Sequence, residues 1–452
     1  MRFPPRPFLA LLLCLVSLLP LRADQPRPRL VVISIDGMMP SRYMSAGPAR
    51  LPTLRRLMRD GVYAEGVVGV MPSSTYPSHT TLITGVPPAV HGIYDNRILD
   101  PEGQANGAWY WYSRDIKVQT VLTTAHARGL RVAAVSWPVS VGLDIDYNVP
   151  EFWRSNHPET ITLLRALSTP RNIIDAAEIW RGKPFEWPQT DKHRTDFAKF
   201  LIRTYQPELV MVHLVETDSA QHDYGPGSDE ALQAHERVDG YVGEILDALK
   251  DAGLAETTNV AIVSDHGFLP ISKQLQLNTA FKDAGLLTVD ARGSITAWQA
   301  YAHPSGGSAY IYLKDEHDAA LASRVHELLQ KLQADPANGI RKLFTKEELA
   351  SIGSHPDASF AVDMADGYYA GAGTAELLGV PDSKGGHGFD PTRPALHASF
   401  IASGPAFTRR GSVGIVRMTQ IAPTLARVLG VGLAPEADKA LDVFVGGKGS
   451  GK

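Results

Sequence analysis

The chain has 452 residues, of which 44% are hydrophobic and 20% are charged, and both fractions are ordinary for a soluble globular protein. Its formal net charge is −4 and no block of basic residues stands out, which argues against a protein that binds duplex nucleic acid by neutralising phosphates. The length exceeds what a single hydrophobic core usually supports, so it predicts two domains or one domain with an insertion.

The N-terminal segment has the pattern of a secretory signal peptide. Arginines precede an apolar run at residues 8–19, and Ala23 is a small residue suited to a cleavage site. The run is shorter than the roughly 20 residues that a membrane span needs, which favours a cleaved segment, 1–23, over a retained anchor. Removing its three arginines from the 44 Lys and Arg leaves 41 against 48 Asp and Glu, and the one cysteine, Cys14, is removed as well. We therefore expect an exported protein, periplasmic or secreted, with no disulfide and no stable membrane insertion.

Short apolar, β-branched runs alternate with helical patterns along most of the chain. The runs that predict strands are 29–37, 130–138, 208–218, 258–267 and 397–405. The clearest helical patterns lie at 51–61, 120–129 and 237–253. Nearly continuous apolar runs are typical of strands that are buried on both faces. The alternation therefore predicts the α/β class, with an open, mostly parallel sheet sandwiched by helices.

Residues 271–384 break this alternation. They mix strand-like and helix-like stretches with much glycine and aspartate, which indicates an inserted α+β capping subdomain. The catalytic α/β domain would then comprise residues 24–270 and 385–445. The glycine-rich end, 446–452, is expected to be a flexible tail.

Acidic and histidine side chains follow the strand candidates at one edge of the predicted sheet. They are Asp36 after the first run, Asp218 and His222 after the third, Asp265 and His266 after the fourth, and His387 in a glycine-rich loop before the fifth. Ligands of open α/β sheets bind beyond the carboxyl ends of the strands, and residues four apart share one face of a helix. Each residue alone has an ordinary explanation as a cap or turn former. Together they predict oxygen and nitrogen ligands without thiolate, which suit a catalytic zinc site.

Residues 75–85, TYPSHTTLITG, predict a loop that turns into a helix. Pro77 fits the first helical turn because its missing N–H costs nothing there. Thr75 has two interpretations, an ordinary N-cap or a nucleophile. A threonine hydroxyl is a weak nucleophile unless a base or a metal lowers its pKa, and a helix N-terminus favours a bound phosphate. The predicted metal ligands favour the nucleophile.

These motifs resemble those of the nucleotide pyrophosphatase/phosphodiesterase family of the alkaline phosphatase superfamily. The family's T-F-P-N-H-Y-T-x-x-T-G is similar to residues 75–85, and its H-G-x-x-x-N to HGIYDN, which ends at Asn96. Its D-G matches Asp36 and the next glycine, S-D-H-G-M becomes SDHGF, and G-x-H-G-[YF] becomes GGHGF. Its E-x-D-x-x-x-H-x-x-G-P matches ETDSAQHDYGP, where Thr217 is a departure. The motifs stand in the family's order and span most of the chain.

The resemblance implies an alkaline-phosphatase-like fold and a two-zinc hydrolase of phosphodiester or pyrophosphate bonds. The residues that match the family's zinc ligands are Asp218, His222 and His387 for one ion, and Asp36, Asp265 and His266 for the other. Thr75 would bridge towards the second ion, attack phosphorus and form a phospho- or nucleotidyl-threonine intermediate. Asn96 and the Thr75 N–H would hold a non-bridging oxygen of the phosphate.

The chain departs from the family at residues that affect substrate choice. Tyr76 replaces the family's usual Phe, which helps to pack a nucleobase, and a tyrosine could still do so. Tyr147 and Trp153 are both candidates for a second base-stacking aromatic, and each also has a core-packing interpretation. We expect a small-molecule phosphodiester or nucleotide substrate. A phosphonoacetate-type hydrolase, a phosphomonoesterase and a lipid-headgroup phosphodiesterase stay open as alternatives, whereas a non-catalytic zinc-binding protein is disfavoured because Thr75 is present.

Overall fold

The structure is a computed structural model that describes residues 27–45, 47–105, 107–153, 159–186 and 188–444. The predicted signal peptide, 1–23, and the predicted tail, 446–452, lie outside the described residues. Within the described part of the chain, no helix is both long enough and apolar enough to cross a bilayer.

Strands and helices alternate through the first part of the chain. The strands are β1 Arg29–Ile35, β2 Val62–Tyr63, β3 Gly66–Val68, β4 Val132–Val135, β5 Tyr147–Val149, β6 Leu209–Leu214 and β7 Thr258–Val263. The helices are α1 Ser41–Met44, α2 Pro52–Asp60, α3 Thr75–Thr84, α4 Pro88–His91, α5 Val121–Ala127, α6 Thr160–Leu167, α7 Ile173–Arg181, α8 Asp191–Tyr205, α9 Glu216–Tyr224 and α10 Asp229–Asp251.

The middle part of the chain is richer in short strands. Its strands are β8 Leu269–Gln276, β9 Leu287–Val289, β10 Ile295–Trp298, β11 Ala300–Pro304, β12 Ser308–Leu313, β13 Ile340–Thr345, β14 Phe360–Met364, β15 Gly367–Gly371, β16 Leu378–Gly379 and β17 Gly385–Gly386. Its helices are α11 Leu277–Asp283, α12 Ala319–Ala334 and α13 Lys346–Ser351. The last elements are β18 Phe400–Ser403, β19 Gly411–Ser412, β20 Ile415–Arg417 and α14 Ile421–Leu429.

The main sheet has eight strands in the order β19-β2-β18-β7-β1-β6-β4-β5. Strands β7, β1, β6, β4 and β5 are parallel to one another, and β18 is antiparallel to both β7 and β2. The prediction of an α/β fold with a mostly parallel sheet is confirmed. Because β18 is antiparallel, its amino end pairs with the carboxyl end of β7, where Phe400 lies opposite Val263. The loop that enters β18 therefore reaches the same edge of the sheet as the carboxyl ends of the parallel strands.

Helices cover both faces of this sheet, and the alternation along β1 shows how. Leu30 and Val32 are buried in a core that includes residues of α3, α5 and α14. Val31 and Ile33 face the opposite way, into a core with residues of α2, α8 and α10. The central strand is thus buried on both faces, as its continuous apolar run predicts.

The middle part of the chain has its own antiparallel sheet, in the order β11-β12-β14-β13. On one face Ile311 packs with Val325 of α12, and on the other Tyr310 packs in a cluster with Met71, which comes from the segment just before α3. This sheet therefore lies against the first part of the chain. The subdomain bounds 271–384 and the capping role stay predictions.

Candidate metal centre and active site

Asp36 and Asp265 lie at the carboxyl ends of the paired strands β1 and β7. Gly37 has a φ of +67°, and its N–H donates to Asp265 Oδ1 at 3.1 Å, which ties the two strand ends together. A Cβ atom at Gly37 would lie 2.6 Å from Phe268 Cε2 and 2.9 Å from Gln221 Nε2. Both the left-handed backbone and the lack of space require glycine at this position.

Three histidines present Nε2 to this edge because main-chain carbonyl groups hold their Nδ1 atoms. The Nδ1 atoms of His222, His387 and His266 lie 2.9, 3.1 and 3.2 Å from such carbonyl oxygens. When Nδ1–H donates, Nε2 keeps its lone pair for a ligand. Asp218 and His222 lie one turn apart on α9, and Asp218 Oδ1 is 3.4 Å from His222 Nε2 and 3.8 Å from His387 Nε2.

The structure brings all six predicted zinc ligands to this edge of the sheet. His266 Nε2 lies 3.1 Å from Asp265 Oδ2 and 3.4 Å from Asp36 Oδ1, and the rings of His266 and His387 stack at 3.7 Å. Two sets have ligand atoms within 4.8 Å of one another, namely Asp36, Asp265 and His266, and Asp218, His266 and His387. His266 belongs to both sets, which differs from the predicted division. His222 adjoins the second set rather than completing it.

The chemistry of these side chains fits divalent cations. Asp36 Oδ1, Asp218 Oδ1, Asp265 Oδ2 and His266 Nε2 are buried and have no hydrogen-bond partner among the described residues. Burial, followed by repulsion from the other two carboxylates, raises the pKa of Asp36 well above its usual value, and burial raises the pKa of Asp265 to about 7. Burial lowers the pKa of His266 and brings that of His387 to about 4, so both rings are neutral at neutral pH. A cation would use these lone pairs and offset the repulsion.

Thr75 is the first residue of α3, and Ser74 holds the cap position before it. The Thr75 side chain is therefore not the N-cap of this helix. The N–H of Tyr76 donates to Asn96 Oδ1 at 2.8 Å, the third residue is proline, and the N–H of Ser78 donates to the Ser74 carbonyl at 3.1 Å. In the described structure only the Thr75 N–H of this first turn lacks an acceptor. The start of α3 thus offers a free donor and the positive end of the helix dipole to an anion.

Ser73 joins the start of α3 to the loop that carries His387. Its carbonyl oxygen accepts from His387 Nδ1 at 3.1 Å and from the Gly388 N–H at 2.9 Å. His79, one turn into α3, is buried, and its Nδ1 donates to the Thr75 carbonyl oxygen at 2.8 Å. Histidines therefore bind the carbonyl oxygens of both Ser73 and Thr75, which holds Thr75 next to the group of acids and histidines.

Two of the three predicted substrate-binding aromatics lie in one cluster beside α3. Tyr76 is fully buried, and its hydroxyl donates to Glu151 Oε1 at 3.1 Å. The ring of Trp109 packs edge-on against Tyr76 at 5.2 Å and against Trp153 at 4.9 Å. Trp109 and Trp153 are only partly buried, so they, rather than the Tyr76 ring, present aromatic surface to solvent.

The structure places Tyr147, the third predicted aromatic, away from the candidate site. Tyr147 begins β5, and its ring stacks on Tyr205 at 4.4 Å. Tyr205 ends α8 just before β6, so both rings lie at the amino ends of the parallel strands. The candidate site lies at the opposite edge, and Tyr147 is part of the packing between a strand and a helix.

Three residues near the site were not predicted from the sequence. Trp109 lies in an irregular segment, and Glu151 follows a short strand, so neither belongs to a periodic pattern. His213 was recognisable from the sequence, since it is the one polar residue in the apolar run of β6. Leu209 and Met211 are buried in the core that contains α3, so alternation along β6 places His213 on that same face.

Mammalian proteins are among the curated relatives that the chain resembles. Ectonucleotide pyrophosphatase/phosphodiesterase family member 1 of Homo sapiens is 29% identical over 252 residues, which cover 53% of this chain and 23% of the relative. The Mus musculus protein of that name is 25% identical over 430 residues, which cover 91% of this chain and 42% of the relative. The Mus musculus bis(5'-adenosyl)-triphosphatase enpp4 is 23% identical over 423 residues, with 90% and 79% coverage. The chain thus spans less than half the length of the two family member 1 proteins.

Solved structures share the fold of the chain. Human ectonucleotide pyrophosphatase/phosphodiesterase 5 superposes with a TM-score of 0.66 at 20% identity, covering 91% of this chain and 97% of that one. The murine protein, in an inactive form in complex with AMP, gives 0.65 at 19% identity, with 90% and 96% coverage. The family model described as type I phosphodiesterase / nucleotide pyrophosphatase matches residues 30–390. The chain therefore belongs to the type I phosphodiesterase / nucleotide pyrophosphatase family.

Proposed function

We propose that the protein hydrolyses phosphodiester or pyrophosphate bonds of nucleotides with Thr75 as the nucleophile and two zinc ions as cofactors. The observation that carries this proposal is the position of Thr75, at the free N-terminus of α3 and tied through Ser73 to the loop of His387. Membership of the family supports the reaction class.

The donor set supports zinc as the metal. Asp36, Asp265 and His266 would hold one ion, and Asp218 and His387, with His222 beside them, would hold the other. Carboxylate and imidazole ligands without thiolate are typical of catalytic zinc sites. When bound, two such ions lower the pKa of a hydroxyl or a water and screen the charge that develops on a phosphate in an in-line displacement.

The residues of the chain have separate tasks in the displacement. The Thr75 hydroxyl releases its proton to solvent, its oxygen attacks phosphorus as the bond from phosphorus to the leaving oxygen breaks, and the leaving group takes a proton from solvent. The phosphoryl or nucleotidyl group then forms an ester with Thr75, which water hydrolyses to restore the hydroxyl. The Thr75 N–H and the Asn96 amide would donate to a non-bridging oxygen, and one such donor typically lowers the activation free energy by about 3 kcal/mol.

Aromatic surface beside α3 supports a nucleotide as the substrate. Trp109 is partly exposed and packs against Tyr76, and Trp153 is partly exposed and packs against Trp109, so a base could stack on this pair while its phosphate meets Thr75. The murine structural neighbour binds AMP, and the enpp4 relative is named for cleavage of a dinucleoside triphosphate. We also propose that the protein is exported to the periplasm or secreted, as its N-terminal pattern predicts.

Substrate preference and nucleophile identity can be tested on the zinc-loaded protein. We expect the nitrophenyl ester of thymidine monophosphate and bis-p-nitrophenyl phosphate to be cleaved faster than p-nitrophenyl phosphate, phosphonoacetate or a choline phosphodiester. Thr75→Ala should abolish turnover and keep zinc bound, because Thr75 is one contact among several. Thr84→Ala, a buried threonine at the other end of α3, is the matched control and should keep turnover. A preference for the monoester, or full activity of Thr75→Ala, would refute the proposal.

A further inference from the structure

A buried chain of hydrogen bonds connects the residue after the nucleophile to a predicted metal ligand. The Tyr76 hydroxyl donates to Glu151 Oε1 at 3.1 Å, and the other oxygen of that carboxylate, Oε2, lies 2.8 Å from His213 Nδ1. His213 Nε2 lies 2.9 Å from Asp36 Oδ2. The four residues are between 0% and 8% exposed, so water competes little for these contacts.

The two carboxylate oxygens of Asp36 have different contacts. Oδ2 accepts from His213, whereas Oδ1 has no hydrogen-bond partner within the described residues and lies 3.4 Å from His266 Nε2. A short carboxylate rotates about two side-chain bonds, and a donor fixed on one oxygen sets the direction of the other. His213 therefore holds Asp36 so that Oδ1 points to the group of acids and histidines.

Contacts to both ring nitrogens and to the ring itself hold His213 in place. Glu151 Oε2 and the Ser136 carbonyl oxygen both lie within hydrogen-bond distance of Nδ1, at 2.8 and 3.1 Å. The His79 ring packs at 4.4 Å, between His213 and the rest of α3. When both carboxylates are ionised they can only accept hydrogen bonds, and both ring nitrogens of His213 are then donors.

We propose that His213 is a positioning residue that orients Asp36 for metal binding, and that Glu151 and Tyr76 hold His213 in that orientation. The proposal rests on the metal-dependent function proposed above. It extends that function to residues that touch neither substrate nor metal. The network also links the two halves of the site, because Tyr76 follows Thr75 in the chain and its N–H contacts Asn96.

Zinc affinity tests the proposal without turnover. Partners that orient a ligand in this way typically change metal affinity by 10- to 100-fold when they are removed. We expect His213→Leu, which donates to neither carboxylate, to weaken zinc binding by about that factor, and His213→Gln, which keeps one donor, to weaken it less. Glu151→Gln and Tyr76→Phe keep the shape of the native side chains, so their zinc affinities can be measured if a His213 variant does not fold. We expect Glu151→Gln to weaken binding more than Tyr76→Phe, which lies one contact further from Asp36.

His235→Gln is the matched control, because His235 is a fully buried histidine whose Nδ1 is hydrogen-bonded to the Ala231 carbonyl oxygen on its own helix. It should lose stability and keep the zinc affinity of the wild type. If the folded His213 variants and Glu151→Gln all bind zinc within threefold of the wild type, His213 has only a structural role and the inference is overturned. A wild-type protein that binds no zinc would instead overturn the proposed function, and the inference with it.

Discussion

Replacing Asn96 with alanine is expected to lower kcat by about a hundredfold while the metal centre stays intact. Asn96 Oδ1 accepts the Tyr76 N–H at 2.8 Å, so the amide oxygen is committed to the start of α3. The NH2 group of the same amide is then the part that can donate to a phosphate at Thr75. The alanine variant removes this donor and also leaves the Tyr76 N–H without its acceptor.

Loss of the donor to the phosphate lowers the rate, whereas loss of the acceptor for the Tyr76 N–H lowers the stability, and the two effects differ in size. A preorganised donor to developing negative charge contributes about 3 kcal/mol to transition-state stabilisation, which corresponds to roughly a hundredfold in rate. The neutral hydrogen bond to Tyr76 contributes about 1 kcal/mol to the free energy of unfolding. The loss of rate should therefore be much larger than any loss caused by destabilisation.

The assay is steady-state kinetics with a nitrophenyl nucleotide ester at saturating zinc, together with thermal unfolding of the same samples. Asn338→Ala is a control for the loss of a buried asparagine, because its side chain donates to the Leu332 carbonyl oxygen at 2.9 Å in the middle part of the chain. It should be destabilised to a similar extent and keep its kcat. If Asn96→Ala keeps kcat within threefold of the wild type, Asn96 does not stabilise the transition state.

Four further predictions concern the metal and the residues that surround it. Burial raises the pKa of Asp265 to about 7 in the ion-free protein, so protons compete with zinc below pH 7, and zinc binding measured by titration should be about tenfold weaker at pH 6 than above pH 8. The same shift means that folded, ion-free Asp265 binds a proton that the unfolded chain releases, so the contribution of Asp265 to the free energy of unfolding should fall as the pH rises from about 4 to 7. The difference in unfolding free energy between the wild type and Asp265→Asn measures this contribution, and a difference that stays constant with pH would contradict it. Chelation should abolish activity and lower the melting temperature, since zinc at a hundred times its Kd contributes about 2.7 kcal/mol, and zinc should restore both. Gly37→Ala should lower stability and zinc affinity because its Cβ meets Phe268 at 2.6 Å, whereas Gly227→Ala, which has open space, should change neither.

The site residues that could be predicted from the sequence are those whose positions follow from local pattern and sheet topology. Asp36 directly follows a buried strand, and the carboxyl ends of parallel neighbours share one edge, so its meeting with Asp265 required no knowledge of side-chain packing. The spacing of Asp218 and His222 is that of one helical turn, and α9 supplies that turn. The sequence predicts Thr75 at a helix start because the proline two residues later fits the first helical turn.

The residues that could not be predicted depend on packing between distant segments. Tyr147 and Trp153 are six residues apart, and only the bounds of β5 decide which of them lies near the site. Trp109 meets Tyr76 through an irregular loop, for which periodicity gives no direction. Glu151 contacts His213 across 62 residues of sequence, and no local pattern reports such a pairing.

Charge balance connects the buried network with the number of cations that the site can hold. The four carboxylates of Asp36, Asp218, Asp265 and Glu151 carry four negative charges when they are ionised. Burial alone would lower the pKa of His213, but in the ion-free protein the carboxylates of Glu151 and Asp36 raise it to about 10, and the ring between these two carboxylates is counted here with one positive charge. A single divalent cation would leave the group with a negative charge, which would repel an anionic phosphodiester. Two divalent cations would leave one positive charge, and the bound diester would neutralise it. Because charges inside an apolar frame are stable only when they are paired, this balance favours two cations over one.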